Sequence, residues 1–314
     1  MGKIAFLFPG QGSQQIGMGK ALYESDESAR SIFEIADQTL NFELSDLIFN
    51  GDSKELTLTY NAQPALLTTS IAILKKLETF GIKADFTAGH SLGEYTALVA
   101  TGAISFEEAV YTVKKRGEFM NEAVPAGEGA MAAVLGMDTA LLKEVAEQIT
   151  TEGNLVQLAN INCPGQIVIS GTAKGVELAS ELAKVKGAKR VIPLDVSGPF
   201  HSDLMKPAAD KLREVLDNCA INNANIPVVS NVTSDVMQES EEIKKKLIEQ
   251  LYSPVRFEES IQRLLDHDVD TFIEIGPGKV LSGLVKKINR RAKTIAVSDP
   301  ESIELAVKTL KEEA

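Results

Sequence analysis

The sequence is poor in the residues that build metal and disulfide sites. Its two cysteines, Cys163 and Cys219, have no CxxC or Cys/His spacing around them, so neither a zinc site nor a disulfide framework is expected and no cofactor is implied. Two isolated thiols fit a reducing, cytoplasmic setting. Only three histidines are present, His90, His201 and His267, which leaves a histidine-dependent mechanism few candidates. No run approaches the roughly 18 apolar residues that a membrane-crossing helix needs, so no membrane partner is expected. The opening MGKIAFLFPG is broken at Pro9-Gly10, short of a signal-peptide core, and Phe6 stands where a myristoylation signal starting at Gly2 needs Ser or Thr. Positive charge is scarce as well: 32 lysines and arginines against 44 acidic residues leave a net of −12. That balance argues against a nucleic-acid partner and requires any anionic partner to meet a local basic patch. Internal repeats and low-complexity tracts are also missing.

What is there reads as a globular chain, 44% hydrophobic and 24% charged, and 314 residues suggest roughly two domains at about 150 each. Short apolar runs (KIAFLF, FTAGHS, IPVVSNV, TFIEIG, TIAVS) alternate with amphipathic stretches, which predicts an α/β fold with a mainly parallel sheet. From Gly129 to Asp195 the order changes to strand, helix, strand, strand, helix, strand, the βαββαβ pattern of a ferredoxin-like unit. Gly/Pro-rich hinges, VPAGEG and SGPF, flank it. The expected architecture is a large α/β-hydrolase-like domain formed by residues 1–125 and 197–314, interrupted by a small ferredoxin-like domain at 126–196.

Gly89-His90-Ser91-Leu92-Gly93 matches G-x-S-x-G between a predicted strand and a predicted helix, the setting of a nucleophile elbow. Ser91 would sit at a helix N-terminus, where unpaired N–H groups stabilise developing negative charge. A serine nucleophile needs a base. His90 is adjacent and diverges on a sharp turn, and His267, between two aspartates, reads as a solvated loop residue. His201 in SGPFHSDL is the candidate left, ahead of a helix that Ser202 or Asp203 would cap, with packing or capping alone as its competing role. Gly10-Gln11-Gly12 fits neither a dinucleotide fingerprint nor a Walker loop, and is better read as an oxyanion loop acting with the Leu92 N–H. Ser105-Phe106-Glu107-Glu108 is a capping box that starts a helix running beyond residue 120. About ten residues of nucleophile helix and a tight return place Arg116 near the level of Ser91, where its planar fork suits a substrate carboxylate. The competing reading makes Lys114, Lys115 and Arg116 a solvated basic face.

Together these segments resemble the malonyl-CoA:acyl carrier protein transacylases of bacterial type II fatty acid synthesis. The resemblance rests on FPGQGSQ (8–14), NAQPAL (61–66), GHSLGEY (89–95), Arg116, ANINCPGQIVISG (159–171), GPFHS (198–202), SNVT (230–233), QLYSPVRF (250–257) and EIGPG (274–278). It implies a ping-pong transfer of malonyl from malonyl-CoA to the phosphopantetheine thiol of acyl carrier protein, with Ser91 as nucleophile and His201 as base. Gln11 and the Leu92 N–H match the oxyanion hole, Arg116 the carboxylate ligand, and Gln250, with Asn231 as a weaker candidate, the group that orients the histidine. Asn160, Asn162 and Gln63 read as pocket lining or as turn and capping residues. The competing function is a serine hydrolase or thioesterase of α/β-hydrolase type, which would recruit an acid such as Asp195; a non-catalytic carrier-binding module is the third class. For an acidic carrier protein, Lys184, Lys186, Lys189 and Arg190 form the expected docking patch, and Lys286, Lys287, Arg290, Arg291 and Lys293 a second cluster.

Overall fold

The computed structural model describes residues 2–312; Met1 and residues 313–314, the outer ends of the expected large domain, lie outside the described residues. In chain order the strands are β1 (Lys3–Phe8), β2 (Phe86–Gly89), β3 (Gly129–Leu135), β4 (Val156–Cys163), β5 (Gln166–Thr172), β6 (Arg190–Pro193), β7 (Val228–Val229), β8 (Val236–Met237), β9 (Val269–Ile275) and β10 (Lys293–Val297). One sheet has the order β10-β9-β1-β2-β7-β8, parallel throughout except for β8. The other has the order β4-β5-β3-β6 and is antiparallel.

A parallel sheet must be covered on both faces, and β1 shows how the sequence meets that demand. Ile4, Phe6 and Phe8 pack into one core with the helices Thr59–Glu78 and Phe106–Glu122. Ala5 and Leu7 point the other way, into a core with the helices Phe257–Asp266 and Val280–Ile288. The antiparallel sheet has its own core, in which Val134, Ile167 and Ile169 meet the helices Thr139–Thr151 and Ala173–Val185. The mixed α/β architecture and the mostly parallel sheet thus agree with the alternation of apolar runs.

Three local expectations change. IPVVSNV yields only the two residues of β7, because Pro227 has no N–H and the chain turns at once, with Ser234 N donating to the Ser230 carbonyl and Ser230 N to the Asp235 carbonyl. The capping box is half realised: Ser105 Oγ accepts from Glu108 N, but Glu108 accepts from Ala220 N at Oε1 and from the Ser105 hydroxyl at Oε2, and not from the Ser105 backbone N–H. Neither Ser202 nor Asp203 caps the helix Lys206–Asp217; Ser202 Oγ donates to the Pro199 carbonyl, and a short 3-10 turn at Asp203–Met205 leads into the helix.

The ends of β1 and β2 approach too closely for side chains. A Cβ at Gly93 would lie 2.0 Å from the Phe8 carbonyl oxygen, and one at Gly89 1.9 Å from the Gly93 carbonyl carbon. Gly93→Ala should therefore lower stability by about 2 kcal/mol or more. Gly283→Ala, in a helix where a Cβ meets nothing within 4 Å, should raise it by about 0.5 kcal/mol. Urea midpoints compare the two; equal shifts would mean that the strand-end contact is not tight.

Candidate active site

β2 ends at Gly89 and the next helix begins at Leu92, so Ser91 occupies the turn between them with φ 51° and ψ −106°. A non-glycine residue holds such a conformation only when its surroundings enforce it. Asn231 supplies the enforcement: its Oδ1 accepts from Ser91 N at 2.7 Å and its Nδ2 donates to the Gly89 carbonyl at 2.7 Å. Asn231 makes no bond to His201, so its expected histidine-orienting role is corrected. It clamps the turn that carries the serine. Leu92 is the first residue of the helix, so its N–H has no acceptor within it.

His201 is buried and, like Ser91, has a positive φ, 59°. Its Nδ1–H donates to the Gln250 carbonyl at 2.9 Å, which leaves Nε2 as the acceptor for the Ser91 hydroxyl at 2.8 Å. Asp195 is exposed at the cleft mouth, and the position an acid would take at Nδ1 is filled by that carbonyl. Burial, joined by the positive charge of Arg116, pushes the His201 pKa down to about 3, so the ring is an uncharged base.

Arg116 is 1% exposed, so the reading of residues 114–116 as a solvated face fails at its third member. Its Nη1 donates to Gln63 Oε1 at 2.7 Å, and its Nη2 donates to Gln250 Oε1 at 2.8 Å and to Ser91 Oγ at 3.2 Å. Nε has no partner among the described residues. The guanidinium lies 5.6 Å from the centre of the Tyr95 ring. Gly117 makes this placement possible, because a Cβ there would be 2.5 Å from the Tyr60 Cα in the facing helix, the helix that carries Gln63.

Glu94 is the site residue that sequence reasoning missed. It is fully buried, and its Oε2 accepts from Gln250 Nε2 at 2.6 Å and from Asn231 N at 3.2 Å. Burial pushes its pKa up to about 7 against these bonds and the Arg116 charge. The available signal was one carboxylate on an otherwise apolar helix, LGEYTALVA. A second missed link joins the sheets: His90 Nε2 donates to Asn162 Oδ1 of β4 at 2.8 Å.

A cleft of about 310 Å³ opens over Ser91, with Gln11 and Leu92 on the parallel-sheet side and Met131, Asn160 and Leu194 on the other. Gln11 Nε2 donates to Thr59 Oγ1 at 3.3 Å. Lys184, Lys186, Lys189 and Arg190 are all exposed and lie away from the cleft floor, at the end of the helix Ala173–Val185 and the start of β6. Lys189 packs over Gly136, whose N–H donates to the Gly165 carbonyl, and Lys287 Nζ donates to the neighbouring Gln166 Oε1 at 2.9 Å. Lys189 and Lys287, one from each basic cluster, therefore flank the same pair of turns. Among the described residues, no group of three or more His, Cys, Asp or Glu is arranged to hold a metal ion. No described helix is long and apolar enough to cross a membrane.

Residues 5–309 match the family described as "Acyl transferase domain". The chain is 75% identical over 313 residues to the malonyl CoA-acyl carrier protein transacylase of Bacillus subtilis (strain 168), covering 100% of this chain and 99% of that protein. To the same-named protein of Staphylococcus aureus (strain MRSA252) it is 46% identical over 303 residues, covering 96% and 98%. The solved malonyl CoA-acyl carrier protein transacylase of Clostridium perfringens ATCC 13124 superposes with a TM-score of 0.96 at 43% identity, covering 99% of this chain and 98% of that one. A malonyl-transacylase solved in complex with its type II PKS acyl-carrier protein gives a TM-score of 0.95 at 42% identity, covering 98% and 99%.

The buried groups give the protein a definite acid response. His201 titrates near 6.5 when unfolded and about 3 when folded, so as pH falls below 6.5 the unfolded chain takes up a proton that the native state refuses, and stability drops. Glu94 acts with the opposite sign, costing stability as pH rises from 4.5 to about 7. Replacing the ring, His201→Gln, should remove about 2 kcal/mol of the acid loss between about pH 6.5 and 4.5. Urea midpoints at the two pH values test it; equal acid losses in both proteins would mean that His201 is not held neutral.

Proposed function

Because this chain belongs to the acyl transferase family, among the malonyl CoA-acyl carrier protein transacylases, we propose that it moves malonyl from malonyl-CoA to the phosphopantetheine thiol of acyl carrier protein through a malonyl-serine. The observation that carries the reading is a fully buried arginine 3.2 Å from a serine hydroxyl that also donates, at 2.8 Å, to a histidine. A hydrolase acting on neutral acyl groups has no use for that buried charge, and a carrier-binding module has no use for the serine–histidine pair.

In the first half-reaction Ser91 Oγ attacks the thioester carbonyl while His201 Nε2 takes its proton; the carbon–sulfur bond then breaks, and the proton passes to the departing thiolate. The backbone N–H groups of Gln11 and Leu92 stabilise the tetrahedral oxyanion. The Gln250 carbonyl, by accepting from Nδ1, fixes the tautomer that makes Nε2 basic. Arg116, which lines the cleft with Nη2 3.2 Å from Ser91 Oγ, receives the malonyl carboxylate. In the second half-reaction the carrier thiol attacks the ester carbonyl while His201 takes its proton; the bond from the acyl carbon to Ser91 Oγ then breaks, and His201 returns the proton to that oxygen. No metal or cofactor enters either step.

We read residues 1–125 and 197–314 as a discontinuous α/β-hydrolase-like domain and 126–196 as a ferredoxin-like one, a division supported by the separate core of the antiparallel sheet and its strand order. The reaction belongs in the cytoplasm, where the two unpaired thiols would stay reduced.

Ser91→Ala should lose the malonyl adduct that intact-mass spectrometry detects after malonyl-CoA, and His201→Ala most of the turnover. Arg116→Ala should lose about two decades or more of malonyl transfer, while acetyl transfer falls far less or rises. A full adduct on the Ser91→Ala protein, or equal losses for both acyl groups, would contradict the roles given to those residues.

The joined basic surface, with Lys184, Lys186, Lys189 and Arg190 at its centre and Lys287 beside it, is the docking site for the acidic carrier. Reversal of Lys189 and Arg190 to Glu should slow transfer to carrier protein and flatten its salt dependence while leaving malonylation of Ser91 nearly intact. Unchanged carrier kinetics at low salt would place docking elsewhere.

A further inference from the structure

Glu94 has no part in the acyl-transfer steps above, yet it lies within the same hydrogen-bonded network. Its Oε2 accepts from the Gln250 amide, its Oε1 has no partner among the described residues, and the other end of that amide, Gln250 Oε1, accepts from Arg116 Nη2. Gln250 is therefore a relay between a buried carboxylate and a buried guanidinium. Its orientation is set by charge, because a flip would turn the amide oxygen toward the Glu94 carboxylate and the Ser91 carbonyl, and its N–H groups toward the guanidinium.

A buried guanidinium needs a counter-charge. The titratable groups around Arg116 and Glu94 are Tyr95 on the same helix as Glu94 and His201 across Gln250. Burial raises the Tyr95 phenol well above its ordinary range and lowers the His201 ring, so both are uncharged. Glu94 is the anion left to balance the arginine.

We propose that Glu94 is a positioning residue and the resting counter-ion of Arg116: through Gln250 it holds the guanidinium in the empty pocket, and it takes up a proton when the carboxylate of an arriving acyl group docks there. The inference rests on the malonyl reading of the site. Arg116 pulls the Glu94 pKa down; a second carboxylate on the guanidinium offsets that pull and repels Glu94, so its affinity for a proton rises. An acetyl group brings no charge and leaves Glu94 unchanged. Acylation itself is proton-neutral, since the Ser91 proton leaves on the thiol of coenzyme A, so uptake from solvent during malonylation reports a titrating side chain.

The test follows proton uptake with an indicator dye in weak buffer at about pH 7.5 while malonyl-CoA or acetyl-CoA acylates the protein, the adduct being counted by intact mass. Roughly half a proton should enter per malonyl group, and essentially none per acetyl group. In Glu94→Gln, which keeps an acceptor for Gln250 but cannot titrate, malonylation should proceed more slowly and without uptake. A malonyl adduct without uptake in the unmodified protein, or undiminished uptake in Glu94→Gln, overturns this inference and leaves the acyl-transfer reading standing. Absence of a malonyl adduct overturns both. If Glu94→Gln does not fold, the pH dependence of the unmodified protein decides: uptake that peaks between about pH 7 and 8.5 supports Glu94, and uptake constant from about pH 6 to 9 overturns it.

Discussion

Backbone lies against backbone where the first two strands end, and the site is built outward from that contact. Gly93 stands against the Phe8 carbonyl, Gly10 against the His90 carbonyl, and Gly276 against Pro9 and Ser70. Three strand-end turns thereby share a volume that side chains would otherwise fill. Ser91 is forced up out of this junction with a backbone that few residues adopt, and its helix starts immediately beneath the cleft. Glu274, at the end of β9, accepts from the N–H groups of Leu281 and Ser282 and so caps the next helix, which gives the EIGPG segment a structural role beside the Ser91 turn.

Around that junction, polar groups are buried in a connected set. Asn231, Gln250, Glu94 and Arg116 each satisfy another member, and each also touches the backbone or the hydroxyl of Ser91 or a neighbour that does. A low-dielectric interior makes such a set rigid when complete and costly when broken. The neutral state of His201 belongs to the same balance of charge: burial disfavours its charged form, and the Arg116 guanidinium disfavours a second cation beside it.

How much of this was legible in the sequence follows from which interactions leave a periodic trace. β1 was readable because both of its faces are buried, which demands a continuous apolar run. Arg116 was reachable because two helices of known rise joined by a short turn convert residue counts into distance, and the helices Leu92–Ala100 and Phe106–Glu122 keep to that arithmetic. Glu94 showed only as a lone carboxylate on an apolar helix, and the true role of Asn231 was not readable. Their partners lie some 140 to 160 positions away at strand ends, turns and a helix end, and an amide or carboxyl side chain carries no sign of whether it faces water, a helix end or another buried group. The approach of Lys189 and Lys287 was hidden for the same reason, since the Gly136 and Gly165 turns that they flank pair only once β3 and β5 are in register.

Gly117 bears on how such an enzyme can change its diet. The guanidinium that forms the pocket floor is held at its depth by the contact of Gly117 with the Tyr60 backbone. Depth at the arginine is therefore a helix-to-helix distance, whereas width beside it is set by side chains such as Met120, Met131 and Phe200. A lineage that keeps the arginine can widen the cleft by trimming those side chains but can deepen it only by shifting an entire helix. Specificity on this scaffold should consequently grade smoothly across the width and change abruptly with depth.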